Sequence, residues 1–532
     1  MSEDAASDPV DQPAEDSAEA PHVSRSTENL LDRLLYRGVL PRYAFPTDVV
    51  GFHVFDRESS GRFNVEYLYA PTQGLTVALT QYAPGKVVWI DGREWTSGAI
   101  YSPFFTERAR AWRDRSLYFE CQVCRYARHV RQDQAQRGDE IDCPACGAEG
   151  RFGKAMNWMR PPGFAHPVTK DPGTSPDDVP EPSYATRAKL VAEGPSDASD
   201  WTHITDRLEQ TYRRDTLLVT NTGPRGEGYS YCTICGLIEP TASATGEVNG
   251  THRKPYPDEE PDCPGSRSTH GLVLGTDFVS DVLLVRLSVE PPLTLRPELL
   301  STQVALRTIA EALTIAATDR LEIEAAEIQA EFRPALTQNA GNGLEAEIYL
   351  YDTLPGGAGF TRRLSTLDRV LYEDTLARLE QCPADCDESC YRCLRSFRNR
   401  FEHGLLDRRV GASLLRYLLD GTPPNLDTAR LGRAADQLFA DLDGRLVDGV
   451  TFTRNATIHI EGIGDVVAPV LAERGVQRWI FAVHSPLSQT MLSSEALTDA
   501  MEFGSVPVHP IDAMVVARNL PFASQQVLQW LS

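Results

Sequence analysis

Four cysteines crowd into the twelve residues from Cys382 to Cys393, at the head of a stretch that reads CPADCDESCYRCLRSFRNRFEHGLLDRR through Arg409. This constrains the chain more than any hydrophobic pattern, because thiols at such density share a metal or else oxidise. Zinc is the expected ion. A four-thiolate set of Cys382, Cys386, Cys390 and Cys393 closes the tetrahedron and leaves no position for water, so the site is expected to be structural rather than hydrolytic.

All eleven cysteines fall into three clusters. Cys121-x2-Cys124 is followed by Cys143-x2-Cys146 and Gly147, the pattern of a zinc ribbon. Cys232-x2-Cys235 is followed by Cys263, so a histidine must supply the fourth ligand. His252 is the expected one and His270 the alternative, since spacing alone does not separate them. In a competing reading Cys263 is an unliganded thiol and the Cys232/Cys235 pair is redox-active. Three structural Zn2+ sites are expected, in a reducing compartment where short cysteine spacings serve ligation rather than disulfides.

Arginines follow the thiols. Arg392, Arg395, Arg398, Arg400, Arg408 and Arg409 stand against Glu402 and Asp407 alone, and seven arginines lie between Arg108 and Arg131. With a net charge of -23 the surface is not basic throughout, so contact with DNA must come from local patches. Arg392, Arg395, Arg398, Arg400, Arg125 and Arg128 are the expected phosphate contacts. The competing reading makes the same arginines a solvated face, or partners of acids elsewhere.

At 532 residues the chain exceeds one core. The fold class expected is α+β multidomain. Residues 1–26 hold seven acids and read as a disordered tail. A β-rich domain is expected over 27–110, opening with a short helix that carries Leu30, Leu31, Leu34 and Leu35. Strands are expected over 64–101, where Asp91-Gly92 turns a hairpin. The zinc ribbon follows over 111–160, a Pro-rich loop over 161–200 with a strand near 184–191, and the second zinc module over 201–290. Within that module LVLGTDFVSDVLLVRL reads as strand, turn and strand. An α/β zinc-binding domain over 291–425 is expected to contain a helix at 301–318, a hairpin at 328–350 and a helix carrying Leu364, Leu367, Leu371 and Leu376. A small α/β domain over 426–532 closes the chain, with VVAPVLAERG as a helix, QRWIFAVHSP as a strand and SEALTDAMEFG as a helix.

Catalytic signals are weak. G-x4-G-K-[ST] is absent from the sequence. Gly356, Gly357 and Gly359 form either a tight packing turn or a cradle for a nucleic-acid phosphate. Asp465, His484 and Asp512 have no spacing that marks a catalytic set, and no catalytic residue is assigned. Neither a leader nor an apolar run of about 18 residues is evident, so a cytoplasmic protein without a membrane partner is expected.

VLPRYAFP at Val39 to Pro46, ALTQYAPG at Ala78 to Gly85, LGTDFVSDVLLVRL at Leu274 to Leu287, YDTLPGGAGF at Tyr351 to Phe360 and the four cysteines closed by LLDRR together carry a resemblance. They resemble the accessory region C-terminal to the motor in a class of superfamily 2 DNA helicases that ends in the MrfA-type zinc-binding domain. This class includes mitomycin-repair helicases and helicases of antiphage systems such as DISARM and Druantia. The resemblance implies that residues 291–425 are that zinc-binding domain, with Cys382, Cys386, Cys390 and Cys393 on one zinc, and that the region helps a helicase engage DNA. In those helicases the motor precedes this region, whereas this chain opens on an acidic tail. The expectation is therefore a non-catalytic subunit that meets a superfamily 2 helicase in trans. The rivals are a nuclease or hydrolase housed in 426–532 and a zinc scaffold that binds only protein.

Overall fold

The computed structural model describes residues 48–60, 64–173, 185–243, 246–337, 342–445 and 449–531. The acidic tail, the Leu30–Leu35 helix and the VLPRYAFP stretch lie outside the described residues.

Everything central is attached to one long strand. Between β1 (Leu208–Asn221) and its neighbours runs β2 (Ser268–Ser288), 21 residues without interruption and about 70 Å long at ~3.3 Å per residue. The turn expected within LVLGTDFVSDVLLVRL does not form, because its glycine and polar residues have uses inside a sheet. Trp158 lies against Gly275, where a Cβ would sit 2.2 Å from the indole nitrogen. The Ser280 hydroxyl donates to the Asp352 carbonyl at 2.6 Å, and Asp281 accepts from the Tyr212 hydroxyl at 2.8 Å. Turn-forming residues were thus outvoted by tertiary partners.

β2 collects the rest of an 11-stranded sheet. β1 pairs with it antiparallel from Leu274 to Leu287. Its first half takes Met156–Met159 in parallel, beyond which lies the hairpin Ser116–Glu120 and Ala127–Val130. Tyr229–Cys232 pairs with its opening residues. Its second half pairs with β4 (Glu345–Asp352), which in turn pairs with β3 (Ile328–Pro334), the expected hairpin. Helix α1 (Leu300–Leu321) covers this half and is buried nearly all round, so it forms the centre of the largest core with Val285, Leu287, Ile348 and Leu350.

Two segments depart from the expected elements nearby. Within 64–101, Leu75–Gln81 is helical, with Leu75, Ala78 and Leu79 buried at helical spacing. The hairpin Val87–Ile90 and Arg93–Thr96 is present, with Asp91 and Gly92 both at positive φ. The leucine-bearing helix after 360 is two pieces, Phe360–Leu364 and α2 (Arg369–Glu380), broken where Asp368 takes φ 46. After the cysteines comes α3 (Arg408–Asp420), capped by the Asp407 carboxylate, which accepts from the backbone N–H groups of Arg409 and Val410.

The C-terminal residues build a four-stranded sheet in the order β5 (Thr451–Ile460), β6 (Gly464–Arg474), β7 (Gln477–His484), β8 (Val508–Asp512). The first three form an antiparallel meander and β8 joins β7 in parallel. β6 corrects the helix expected at 466–475. Ala, Leu and Glu with a terminal Gly suggested helix, but Val466 and Ala468 are buried around an exposed Val467, the alternation of a strand. Pro469 is tolerated because the ladder to β5 skips it, opposite Asn455 at φ 53. The helix at Glu495–Phe503 is present as expected.

Candidate metal centres and the basic surface around them

The Cys121/Cys124 and Cys232/Cys235 pairs each sit where a strand ends in a tight turn. The first four come from the turn of the Ser116–Glu120/Ala127–Val130 hairpin and from a second knuckle closed by Gly147 at φ 71. Cys121 and Cys146 sulfurs lie 3.7 Å apart, and those of Cys124 and Cys143 3.6 Å. A disulfide needs about 2.0 Å, whereas zinc with sulfur at about 2.3 Å in a tetrahedron separates its ligands by about 3.8 Å. The spacing fits zinc. Backbone N–H groups of Val123 and Cys124 point at Cys121 Sγ, as suits a thiolate.

In the second centre Cys232 and Cys263 sulfurs are 3.7 Å apart, and His252 Nε2 is 3.1 Å from Cys235 Sγ. His252 stands directly opposite Cys263 in a two-stranded ladder, which is how the chain selects it. Its Nδ1 donates to the Gly250 carbonyl at 2.9 Å, leaving the Nε2 lone pair for a metal. His270 lies elsewhere, with Nδ1 2.8 Å from the Ser230 hydroxyl. The buried Arg108 braces the knuckle from behind, donating to the carbonyls of Cys235 and Ile234.

The third centre fills the loop between α2 and α3. Cys382–Cys390 sulfurs are 3.6 Å apart, with Cys386–Cys393 and Cys390–Cys393 at 3.7 Å. In each of the three sets the ligand atoms all lie within 4.8 Å of one another, and among the described residues these are the groups suited to a metal ion. The donor chemistry and spacing fit three zinc ions, which would be held in closed, structural sites.

The arginines divide. Arg408 is buried and structural: it donates to the carbonyls of Cys386, Leu379 and Glu380, stitching the cysteine loop to the carbonyl end of α2. Arg409 pairs with Asp387 at 2.7 Å. Arg408 also pairs with Asp385 at 3.2 Å, so both side chains are engaged within the loop. Arg395 bonds Ser389 within the loop at 2.9 Å, so it supports the zinc site as well as carrying charge. Arg400 lies over the rings of Phe397 and Phe401 at 4.2 and 4.4 Å. Arg125 pairs with Glu120 at 3.3 Å, and Arg128 lies over Phe152 at 5.5 Å. Arg392 and Arg398 are exposed and carry no ion pair among the described residues.

Glu402, the one acid among Arg392 to Arg400 and their neighbours, turns inward. With Arg187, Arg307, Glu311 and Glu331 it makes a buried charge network that ties the loop after the third centre to α1 and β3. Burial pushes the Glu331 carboxyl up, but Arg307 and Arg187 outweigh it and hold it below the usual range. For Glu402 burial wins over the same two arginines and its pKa is raised.

The glycine loop is a packing turn. Asp352 Oδ2 accepts from the N–H groups of Ala358 and Phe360, its Oδ1 from Thr361, and Asp281 accepts from Gly359. The N–H groups that would cradle a phosphate are therefore occupied by internal carboxylates, and a Cβ on Gly357 would lie 2.2 Å from Asp281. Asp352→Ala is expected to destabilise by about 3–5 kcal/mol, since three bonds to a buried charge are lost. Urea unfolding checks this, and Asp352→Asn, which keeps one acceptor, should recover part of the loss.

Asp465, His484 and Asp512 are each otherwise engaged. Asp465 pairs with His459 at an exposed hairpin end, His484 is buried with Nδ1 on the Ser485 carbonyl, and Asp512 caps Ala513–Arg518 while accepting from Ser301 at the start of α1. No helix among the described residues is long and apolar enough to cross a membrane.

Residues 309–394 match the family model described as MZB, the MrfA Zn-binding domain. This segment holds most of α1, the β3/β4 hairpin, α2 and the whole third cysteine cluster. The chain is 34% identical over 423 residues to Druantia protein DruE of Escherichia coli (strain UMEA 4076-1), covering 75% of this chain and 22% of that protein. It thus spans about a fifth of that relative's length. A crystal structure of the DUF1998 helicase MrfA bound to DNA aligns with 70% of this chain and 34% of its own, at 10% identity and a TM-score of 0.33. The same helicase bound to DNA and AMPPNP gives 67%, 31%, 11% and 0.27. TM-scores this low establish no shared overall shape. Residues 309–394 thus carry a MrfA-type Zn-binding domain, in a chain whose three cysteine-rich sets fit three zinc sites.

Proposed function

We propose that the chain is a non-catalytic, zinc-braced accessory region that engages DNA together with a superfamily 2 helicase supplied in trans, in antiphage defence. The observation that carries this reading is the relationship to Druantia protein DruE across three quarters of the chain. The zinc ions act through folding: each knuckle has at most a small core of its own, and metal closure makes it rigid. The exposed Arg392 and Arg398 beside the third centre contact phosphates without reading sequence. The arrangement of the C-terminal sheet supports a bracing role for it, since Arg430 on Thr428–Asp443 pairs with the buried Asp407 and Asp512 holds the start of α1.

Co-expression with a superfamily 2 helicase encoded beside it, followed by affinity purification and assay of DNA-stimulated ATPase, tests the partnership. A stable complex with stimulated ATPase is the expected result; a chain that never associates with the helicase would defeat the reading. Arg392→Glu with Arg398→Glu should weaken DNA binding about tenfold or more and reduce the slope of log affinity against log salt by about 2. Zinc content should stay at three, because neither side chain supports a cysteine. Deleting 426–532 would also remove Arg430 from Asp407 and Asp512 from the Ser301 N–H, so a loss of activity would not single out a hydrolase there.

A further inference from the structure

From Tyr391 to Phe401 the chain reads YRCLRSFRNRF, with four arginines, three aromatics and no acid. All three rings are turned outward: Tyr391 is 70% exposed, Phe397 75% and Phe401 66%. Large apolar side chains are mostly buried in this fold, so three exposed rings within eleven residues call for a reason. They are also held in place. Tyr391 meets the His403 ring edge-on at 5.5 Å, His403 Nε2 is fixed by the Ser396 carbonyl and Asn399 Oδ1 at 3.0 Å, and Arg400 lies across both phenylalanines. Asn399, nearly fully buried, anchors the loop from within by donating to Glu311 and the Leu394 carbonyl. A rigid row of rings interleaved with cations is neither a core surplus nor a mobile tip.

We propose that this loop is a stacking platform for single-stranded nucleic acid, in which Tyr391, Phe397 and Phe401 receive unpaired bases while Arg392 and Arg398 hold the backbone between them. Charge complementarity favours this occupant over an apolar protein surface. The nearest acid in sequence, Glu402, is withdrawn into the network with Arg187 and Arg307. The acids Asp385, Asp387 and Glu388 are matched by Arg408, Arg409 and Arg518. Bases in a duplex present no free face to such rings, so the platform selects single strands, and it does so without regard to sequence because every base has a stackable face.

The inference rests on the DNA reading above but fails separately from it. Full-length, zinc-loaded protein is titrated by fluorescence anisotropy against a 20-mer of thymidylate, an abasic phosphodiester of the same length and charge, and a duplex of equal length. The thymidylate strand is expected to bind about fivefold or more tighter than the abasic strand, the low end for even one stacked base. Tyr391→Ala with Phe397→Ala and Phe401→Ala should erase that difference while zinc content remains three and the weak binding of the abasic strand is unchanged. Tyr391→Phe with Phe397→Tyr should keep it. Equal binding of thymidylate and abasic strands by the unsubstituted protein would overturn the platform and leave phosphate contact intact. Retained selectivity in the triple variant, with helicase association lost, would assign the rings to a protein partner and also overturn it. Failure to bind any of the three nucleic acids would defeat the DNA reading itself.

Discussion

Cys393→Ser is expected to take the zinc count from three to two and to cost more than about 4 kcal/mol, with a matching fall in the thermal midpoint. Loss of a structural metal belongs to the small class of changes that reach this size, and zinc binding contributes about 10–16 kcal/mol in isolated fingers. Cys393 is buried, its sulfur stands 3.7 Å from those of Cys386 and Cys390, and it accepts the Cys390 N–H at 3.1 Å. The cost spreads because Cys382, Cys386 and Cys390 lie against the core built around α1. Without metal, the loop no longer holds Arg408 against the end of α2, and Asp407 loses the geometry that caps α3. Cys146→Ser should release one zinc as well, but with a smaller loss of global stability, since the first ribbon has a small core of its own around Phe119, Tyr126 and Phe152. Metal analysis by mass spectrometry with thermal unfolding distinguishes the two. Equal losses would mean that the third centre is no more tied to the main core than the first.

Glu347→Ala is expected to destabilise by about 3–5 kcal/mol, the range for removing one partner of a buried ion pair. Glu347 is fully buried on β4, where Arg333 of β3 holds it through Nε and Nη2 at 2.9 Å and Arg286 of β2 lies 3.5 Å away. Arg333 also donates to the Leu190 and Ala192 carbonyls, so its guanidinium is the clasp between the central sheet and the short strand Lys189–Leu190. Removing the carboxylate leaves one buried cation uncompensated and a second with only Glu209, at 3.7 Å, to answer it. A double variant in which Arg333 is replaced by Met as well should recover much of the loss, because the penalty lies in the orphaned charge rather than in the missing attraction. Urea midpoints of the two variants measure this.

How far the site could be read in advance depended on whether its information is local. Two C-x2-C pairs and the four cysteines from 382 to 393 carry their geometry in their spacing, so those clusters were legible at once. His252 was separable from His270 only through the register that sets it opposite Cys263, a pairing that spacing does not reveal. β6 was misread because Ala, Leu and Glu suit a helix, and only its two flanking strands make the alternation of Val466, Val467 and Ala468 decisive. The polar residues of β2 suggested a turn because their partners, Trp158, Asp352 and Tyr212, come from distant parts of the chain. Arg408 and Arg398 look alike in the sequence. One faces helix carbonyls and the other faces water, and that difference belongs to the loop closure rather than to either residue. The exposure of Tyr391, Phe397 and Phe401 was equally hidden, since apolar side chains are expected inside until a surface is known.

β2 also has a mechanical consequence. The first ribbon reaches it through Met156–Met159, the second knuckle through Tyr229–Cys232, and the third through β4 and α1, so all three joints sit on one unbroken member. A pull along that member does not peel bonds one at a time. It sets the ladder with all fourteen residues of β1 in shear at once. Force received at one zinc knuckle is thus delivered to the others with little stretching between them, which makes the chain a strut rather than a tether.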